Sequence, residues 1–123
     1  IADLNAAKSL MDEMAELGFR FAIDDFGAGF SSFHYLKHLP IAYIKIDRSF
    51  VSKLAKDPRD RAFIQAIVTL AHGYGQKVVA EGVEDQTTLE ILRALGVDYL
   101  QGFYIGRPSR HMTVSLTASV RSD

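Results

Sequence analysis

The chain has 123 residues, 48% hydrophobic and 24% charged, with a formal net charge of −1. That length allows one domain at most, and the composition suits a packed core and excludes wholesale disorder. The near-neutral charge excludes the basic surface that a nucleic-acid duplex requires, and the absence of cysteine excludes disulfides, thiolate metal sites and cysteine nucleophiles.

The elements follow in alternation. Asp3 is placed to cap a first helix, whose apolar stripe is read as Leu4, Leu10, Met14 and Leu17 and whose stop is Gly18. Residues 19–23 predict a strand that runs into Asp24-Asp25-Phe26-Gly27-Ala28-Gly29. A short helix is expected from Ser31 or Ser32 to just before Pro40, then a second strand over 41–47. Asp57-Pro58 starts the next helix, with Phe63, Ile67 and Leu70 on its apolar face and an end at Gly73 or Gly75. A third strand is predicted over 77–80. Asp85 caps a helix carrying Leu89, Leu92 and Leu95 that stops at Gly96, and residues 97–100 form a fourth strand. The stretch 109–123 reads as a tail or a final helix. No apolar run reaches the ~18 residues of a membrane span and no signal peptide is visible. The chain begins at Ile1 and enters a helical pattern almost at once, so its N-terminus is expected to be a cut edge.

Strand–helix alternation at roughly 30 residues per unit predicts an α/β fold with a parallel sheet, either a barrel or a doubly wound sheet. Alternate strand residues share a face. On that rule each strand ends in one polar group within an apolar setting: Asp24, Lys45, Glu81 and Gln101. Parallel α/β sheets bind ligands beyond the carboxyl ends of their strands, so the four together predict a site. Asp24 and Asp25 offer hard oxygen donors for a divalent cation such as Mg²⁺. Lys45 can hold a water or neutralise a phosphate oxygen, and Glu81 can act as a base; the combination suits in-line phosphodiester hydrolysis. Gly27 and Gly29 allow backbone to approach a ligand closely. Taken singly, each has a plainer reading: Asp24-Asp25 as a cap or turn, Lys45 with Asp47 as a structural ion pair, Glu81-Gly82 and Gln101-Gly102 as strand ends. The histidines His34, His38, His72 and His111 read as surface or helix residues, and the Phe26, Phe30, Phe33 and Tyr35 group as packing.

The stretches 22–32 (AIDDFGAGFSS), 44–51 (IKIDRSFV), 78–84 (VVAEGVE) and 101–108 (QGFYIGRP) resemble, in order and spacing, the signatures of EAL domains, a family of cyclic di-GMP phosphodiesterases. Motifs cover about 19–108 of a partial domain spanning 1–123. The resemblance implies the C-terminal half of a TIM-like (β/α) barrel, about four parallel strands with intervening helices, that hydrolyses cyclic di-GMP to linear pGpG with Mg²⁺ or Mn²⁺. It implies that Asp24 binds two metals and Asp25 one, that Lys45 and Glu81 position and activate water, and that Asp47, Glu84 and Gln101 support the site. The loop from Gly27 to Ser32 would couple metal, substrate and dimerisation; Ala28, Phe30 and Phe33 are conservative variants there. A complete barrel takes roughly 250 residues, so three family metal ligands, including the glutamate of the Glu-Ala-Leu motif, are expected outside this chain, and the isolated chain is expected to be inactive. Further expectations are a homodimer, sensor or diguanylate-cyclase-like domains in the parent, no membrane contact by this segment and a cytoplasmic setting. The alternatives are a non-catalytic cyclic di-GMP receptor and a self-associating half barrel without ligand.

Overall fold

The computed structural model describes residues 4–26 and 32–102. The expectations for Asp3, for Gly27, Gly29 and the rest of that loop, and for the stretch from Phe103 onward lie outside the described residues. The elements are α1 (Leu4–Glu16), β1 (Phe21–Phe26), α2 (Ser32–His38), β2 (Ile41–Ile46), α3 (Arg48–Val51), α4 (Pro58–Gly73), β3 (Lys77–Ala80), α5 (Gln86–Ala94) and β4 (Tyr99–Leu100). All adjacent strand pairs are parallel, and the sheet order is β1-β2-β3-β4. This order decides between the two architectures open to the sequence. A doubly wound sheet reverses its strand order at a switch point, whereas a (β/α) barrel adds each new strand beside the last. Among the described residues no helix is long and apolar enough to cross a membrane.

Helix starts follow local chemistry. Asp57 accepts a hydrogen bond from the Arg59 amide ahead of Pro58, and Asp85 accepts one from the Thr88 amide. Asp47, expected to end the second strand, instead caps the four-residue α3 through the Ser49 amide, an element the sequence does not announce. Gly18 and Gly96 follow α1 and α5 with φ of 101° and 92°, the left-handed exit that glycine adopts at no steric cost.

The core lies between the sheet and its helices. Ile44, Ile46, Val78 and Ala80 are fully buried on one sheet face, against Val51, Leu54, Ile64, Ile67, Val68 and Leu92. Phe50 stacks on Phe63 with ring centroids 4.8 Å apart, fixing α3 on α4. In α1 the buried face differs from the expected stripe: Met11 is buried, Leu4 and Met14 pack beside it, and Leu10 and Leu17 are exposed. The reason is rotational. Positions 4, 7, 11 and 14 fall on one face at about 100° per residue, and 10 and 17 turn away from it. In α4 the inward residues are Ile64, Ile67, Val68 and Ala71, with Phe63 and Leu70 at the margin.

The fourth strand is shorter than expected, leaving out Val97, whose amide closes the exit of α5 on the Leu92 carbonyl at 3.2 Å, and also Asp98. The Asp98 carboxylate accepts the Val78 amide at 2.8 Å and pairs with His72 Nε2 at 2.7 Å. This joins the end of α4 to the start of β3 and β4. Gln76, buried in the α4–β3 connection, donates to the Leu36 carbonyl at 3.2 Å and so ties that connection to α2.

Candidate active site

Three neighbouring strands bring their carboxyl ends together, and the register decides which side chains meet. Lys45 stands opposite Val79, so its face continues across β3 to Glu81, one residue beyond the strand. The Glu81 amide donates to the Ile46 carbonyl at 3.1 Å, which extends the ladder to that residue. On the other side of β2, Ile23 pairs with Ile44 and Phe26 with Ile46, so Asp24 and Asp25 together oppose Lys45 alone. Two residues against one is a bulge, a device that re-aims side chains beside sites. Ile23 and Phe26 are buried in the core, and Asp24 between them is only part-buried, at the carboxyl end of the strand.

The side chains of Asp24, Lys45 and Glu81 form one interacting group. Lys45 Nζ lies 3.4 Å from Glu81 Oε2, and both side chains are largely covered. Burial pushes the Glu81 carboxyl above the usual carboxylate range. The ammonium of Lys45 opposes that shift, and the Asp24 carboxylate, near enough to repel Glu81 and to hydrogen-bond with it, adds to it. A raised pKa makes the Glu81 carboxylate a better proton acceptor than an ordinary one. Tyr43 and Tyr99 continue the same sheet face away from the mouth, with ring centroids 6.1 Å apart across Val79.

Gln101 is joined to the site through its backbone. Its amide donates to the Ala80 carbonyl at 2.9 Å, and its carbonyl accepts the Val83 amide at 3.0 Å. Gly102 then passes so close to Val83 that a side chain there would collide with the Val83 backbone. Asp47 sits at the same end of the sheet, with its carboxylate on the Ser49 amide at 3.0 Å. Glu84 is exposed in the connection from β3 to α5. Asp25 lies in β1, but its side chain is outside the described set. The structure therefore brings Asp24, Lys45 and Glu81 into contact, places Gln101 and Asp47 alongside, and leaves Glu84 at the rim.

The carboxylates of Asp24 and Glu81 are hard oxygen donors that suit Mg²⁺ or Mn²⁺ in kind. Among the described residues no three His, Asp or Glu side chains converge as a metal cage, so these residues would furnish part of a coordination shell and not all of it.

The sequence profile of the EAL domain matches residues 1–108. The chain belongs to the EAL domain family. One EAL relative, the bifunctional diguanylate cyclase/cyclic di-GMP phosphodiesterase MucR of Pseudomonas aeruginosa, is 45% identical over 106 residues, covering 86% of this chain and 16% of MucR. Another, the cyclic di-GMP phosphodiesterase PdeB of Shewanella oneidensis, is 41% identical over 108 residues, covering 88% of this chain and 13% of PdeB. The solved PaMucR phosphodiesterase in complex with c-di-GMP superposes with a TM-score of 0.77 at 44% identity, covering 88% of this chain and 44% of that one. The chain thus spans about a sixth or less of these curated relatives, and its sheet is a four-strand portion of the TIM-like EAL barrel.

The bulge at Asp24-Asp25 is the part of the site that strand alternation alone did not reveal. It leaves no mark in a period-two pattern, because it is itself a break in the period.

Proposed function

We propose that this chain forms part of a metal-dependent site that hydrolyses cyclic di-GMP to linear pGpG. The observation that carries the reading is the contact of Asp24, Lys45 and Glu81 at the carboxyl ends of three adjacent parallel strands. The EAL relatives named as cyclic di-GMP phosphodiesterases support the same substrate. Asp24, with Asp25 beside it, would hold Mg²⁺ or Mn²⁺, which when bound polarises the phosphate and acidifies water.

The chain's own groups have distinct parts in this reaction. The Lys45 ammonium orients the attacking water and offsets charge that builds on the phosphate oxygens. Glu81, raised in pKa and in contact with Lys45, accepts a proton from that water. The water oxygen bonds to phosphorus, the P–O3′ bond breaks, and the released O3′ takes a proton. One such event opens the ring and leaves a 5′-phosphorylated linear dinucleotide. Asp47 acts by fixing the start of α3, and Gln101 by closing the ends of β3 and β4.

Completion of the metal shell by residues outside this chain is part of the proposal, as are a homodimer, further signalling domains in the parent and a cytoplasmic setting. The test is product analysis. The full open reading frame that contains this chain should convert cyclic di-GMP to pGpG with Mg²⁺ or Mn²⁺, and Lys45→Ala should abolish the conversion. The 123-residue chain alone should convert none. Saturable binding of cyclic di-GMP without turnover by the full protein would favour the receptor reading.

A further inference from the structure

Two residues just beyond the acidic and basic cluster meet each other. Arg48 follows Asp47 at the start of α3, and Gly82 follows Glu81 at the end of β3. Gly82 has φ +78°, and a Cβ built on it would lie 2.5 Å from Arg48 Cβ and 3.6 Å from Arg48 Nε. The Arg48 stem therefore packs on the bare backbone of Gly82, and the residue as a whole stays exposed. Its position over the strand end next to Glu81 is set by that packing.

The other cations with recorded contacts are committed elsewhere. Lys45 is held by Glu81, Lys8 by Asp12 and Arg59 by Asp57, and Arg61 donates to the Leu54 carbonyl. Among the described residues the Arg48 guanidinium has no hydrogen bond or ion pair. The preceding acid does not claim it: the Asp47 carboxylate accepts the Ser49 amide.

Charge then sets a requirement. The cluster holds the carboxylates of Asp24 and Glu81 against the single ammonium of Lys45, which is already paired. A metal ion held by the acids would offset part of that charge, and a further cation beside the cluster would favour an anionic ligand arriving at that mouth. A guanidinium presents paired N–H donors that match two phosphate oxygens, and it keeps its charge at any working pH.

We infer that Arg48 is a ligand-binding residue of this site, whose guanidinium takes a non-bridging phosphate oxygen of the cyclic dinucleotide. The inference rests on the phosphodiesterase reading. Gly82 is the other half of the device, because any side chain at that position would push Arg48 off the strand end.

The experiment is calorimetric titration of cyclic di-GMP with Mg²⁺ into the full open reading frame, in a Lys45→Met background that suppresses turnover. Arg48→Met should weaken binding about 10- to 100-fold, the usual worth of one or two charge-assisted hydrogen bonds, with the thermal midpoint unchanged. Arg48→Lys, which keeps the charge and loses the fork, should fall between. Unchanged affinity in Arg48→Met, or a loss that tracks a lowered thermal midpoint in both Arg48 variants, would overturn the inference and leave the phosphodiesterase reading standing. Failure of the full protein with Lys45 and Arg48 both intact to bind or convert cyclic di-GMP would overturn that reading and the role of Arg48 together.

Discussion

Lys45 of β2 and Glu81, the residue just past β3, meet with Nζ 3.4 Å from Oε2 at the carboxyl end of the sheet. Removing the ammonium leaves Glu81 and Asp24 facing each other uncompensated, which favours protonation of Glu81 and costs the site both its base and its water-holding group. Lys45→Met in the full protein is expected to lower pGpG formation by about two to four orders of magnitude, the usual worth of a positioned proton-transfer or electrostatic group. Product release measured at saturating Mg²⁺ checks this; retention of more than a tenth of the rate would remove Lys45 from the mechanism.

Gly82→Ala carries two penalties. The left-handed φ of +78° disfavours any side chain, and the new methyl would stand 2.5 Å from Arg48 Cβ. A loss of about 1–3 kcal/mol is expected. Gly18→Ala is the matched comparison, because its φ of +101° is strained but the space around it is open. Denaturant titration should show the larger loss at Gly82. Equal losses would mean that the Arg48 contact yields freely.

Asp98 and His72 contribute unequally to their pair. Asp98 also accepts the Val78 amide at 2.8 Å, so Asp98→Ala strands a part-buried backbone donor at the start of β3. That change should cost about 1–3 kcal/mol. His72→Ala removes only a half-exposed partner and should cost less than about 1 kcal/mol. Chemical denaturation of the two variants decides it; a His72→Ala loss equal to that of Asp98→Ala would place the stabilisation in the ion pair.

Acid should loosen two helix starts. The amide of Arg59 on Asp57, and that of Thr88 on Asp85, hold these carboxyls below their ordinary values. Each folded pKa is depressed relative to the unfolded chain, so the stabilisation is complete above the unfolded carboxylate pKa and fades as pH falls through the folded one. Thermal midpoints should therefore decline below the carboxylate range more steeply in the native chain than in Asp57→Asn/Asp85→Asn. Parallel declines would show that the caps carry no pH dependence.

Much of this was legible in residue order. Asp57-Pro58, Asp85 and the glycines after α1 and α5 marked helix ends because capping and left-handed exits depend on a few adjacent residues. The four motifs carried the family, and the charged ends of apolar strands named the candidate residues of the site. What failed was anything set by a distant partner. The apolar stripe of α1 was read through Leu4, Leu10, Met14 and Leu17; Leu4 and Met14 do dock, but the buried residue between them is Met11, and Leu10 and Leu17 face away. The fourth strand was read as beginning at Val97, but the Val97 amide is taken by the Leu92 carbonyl at the exit of α5, and the Asp98 carboxylate reaches Val78 and His72 across sequence separations of 20 and 26 residues.

The sequence by itself determined the parallel α/β alternation, the places where helices begin and stop, and the acidic and basic residues available to a site, because these depend on neighbours along the chain. Only the tertiary structure decided that the strands stack in chain order, that two acids of β1 bulge against one lysine of β2, and that Arg48 rests on Gly82. Those outcomes depend on register between strands and on which atoms come within a few ångströms after folding, and no local pattern encodes either.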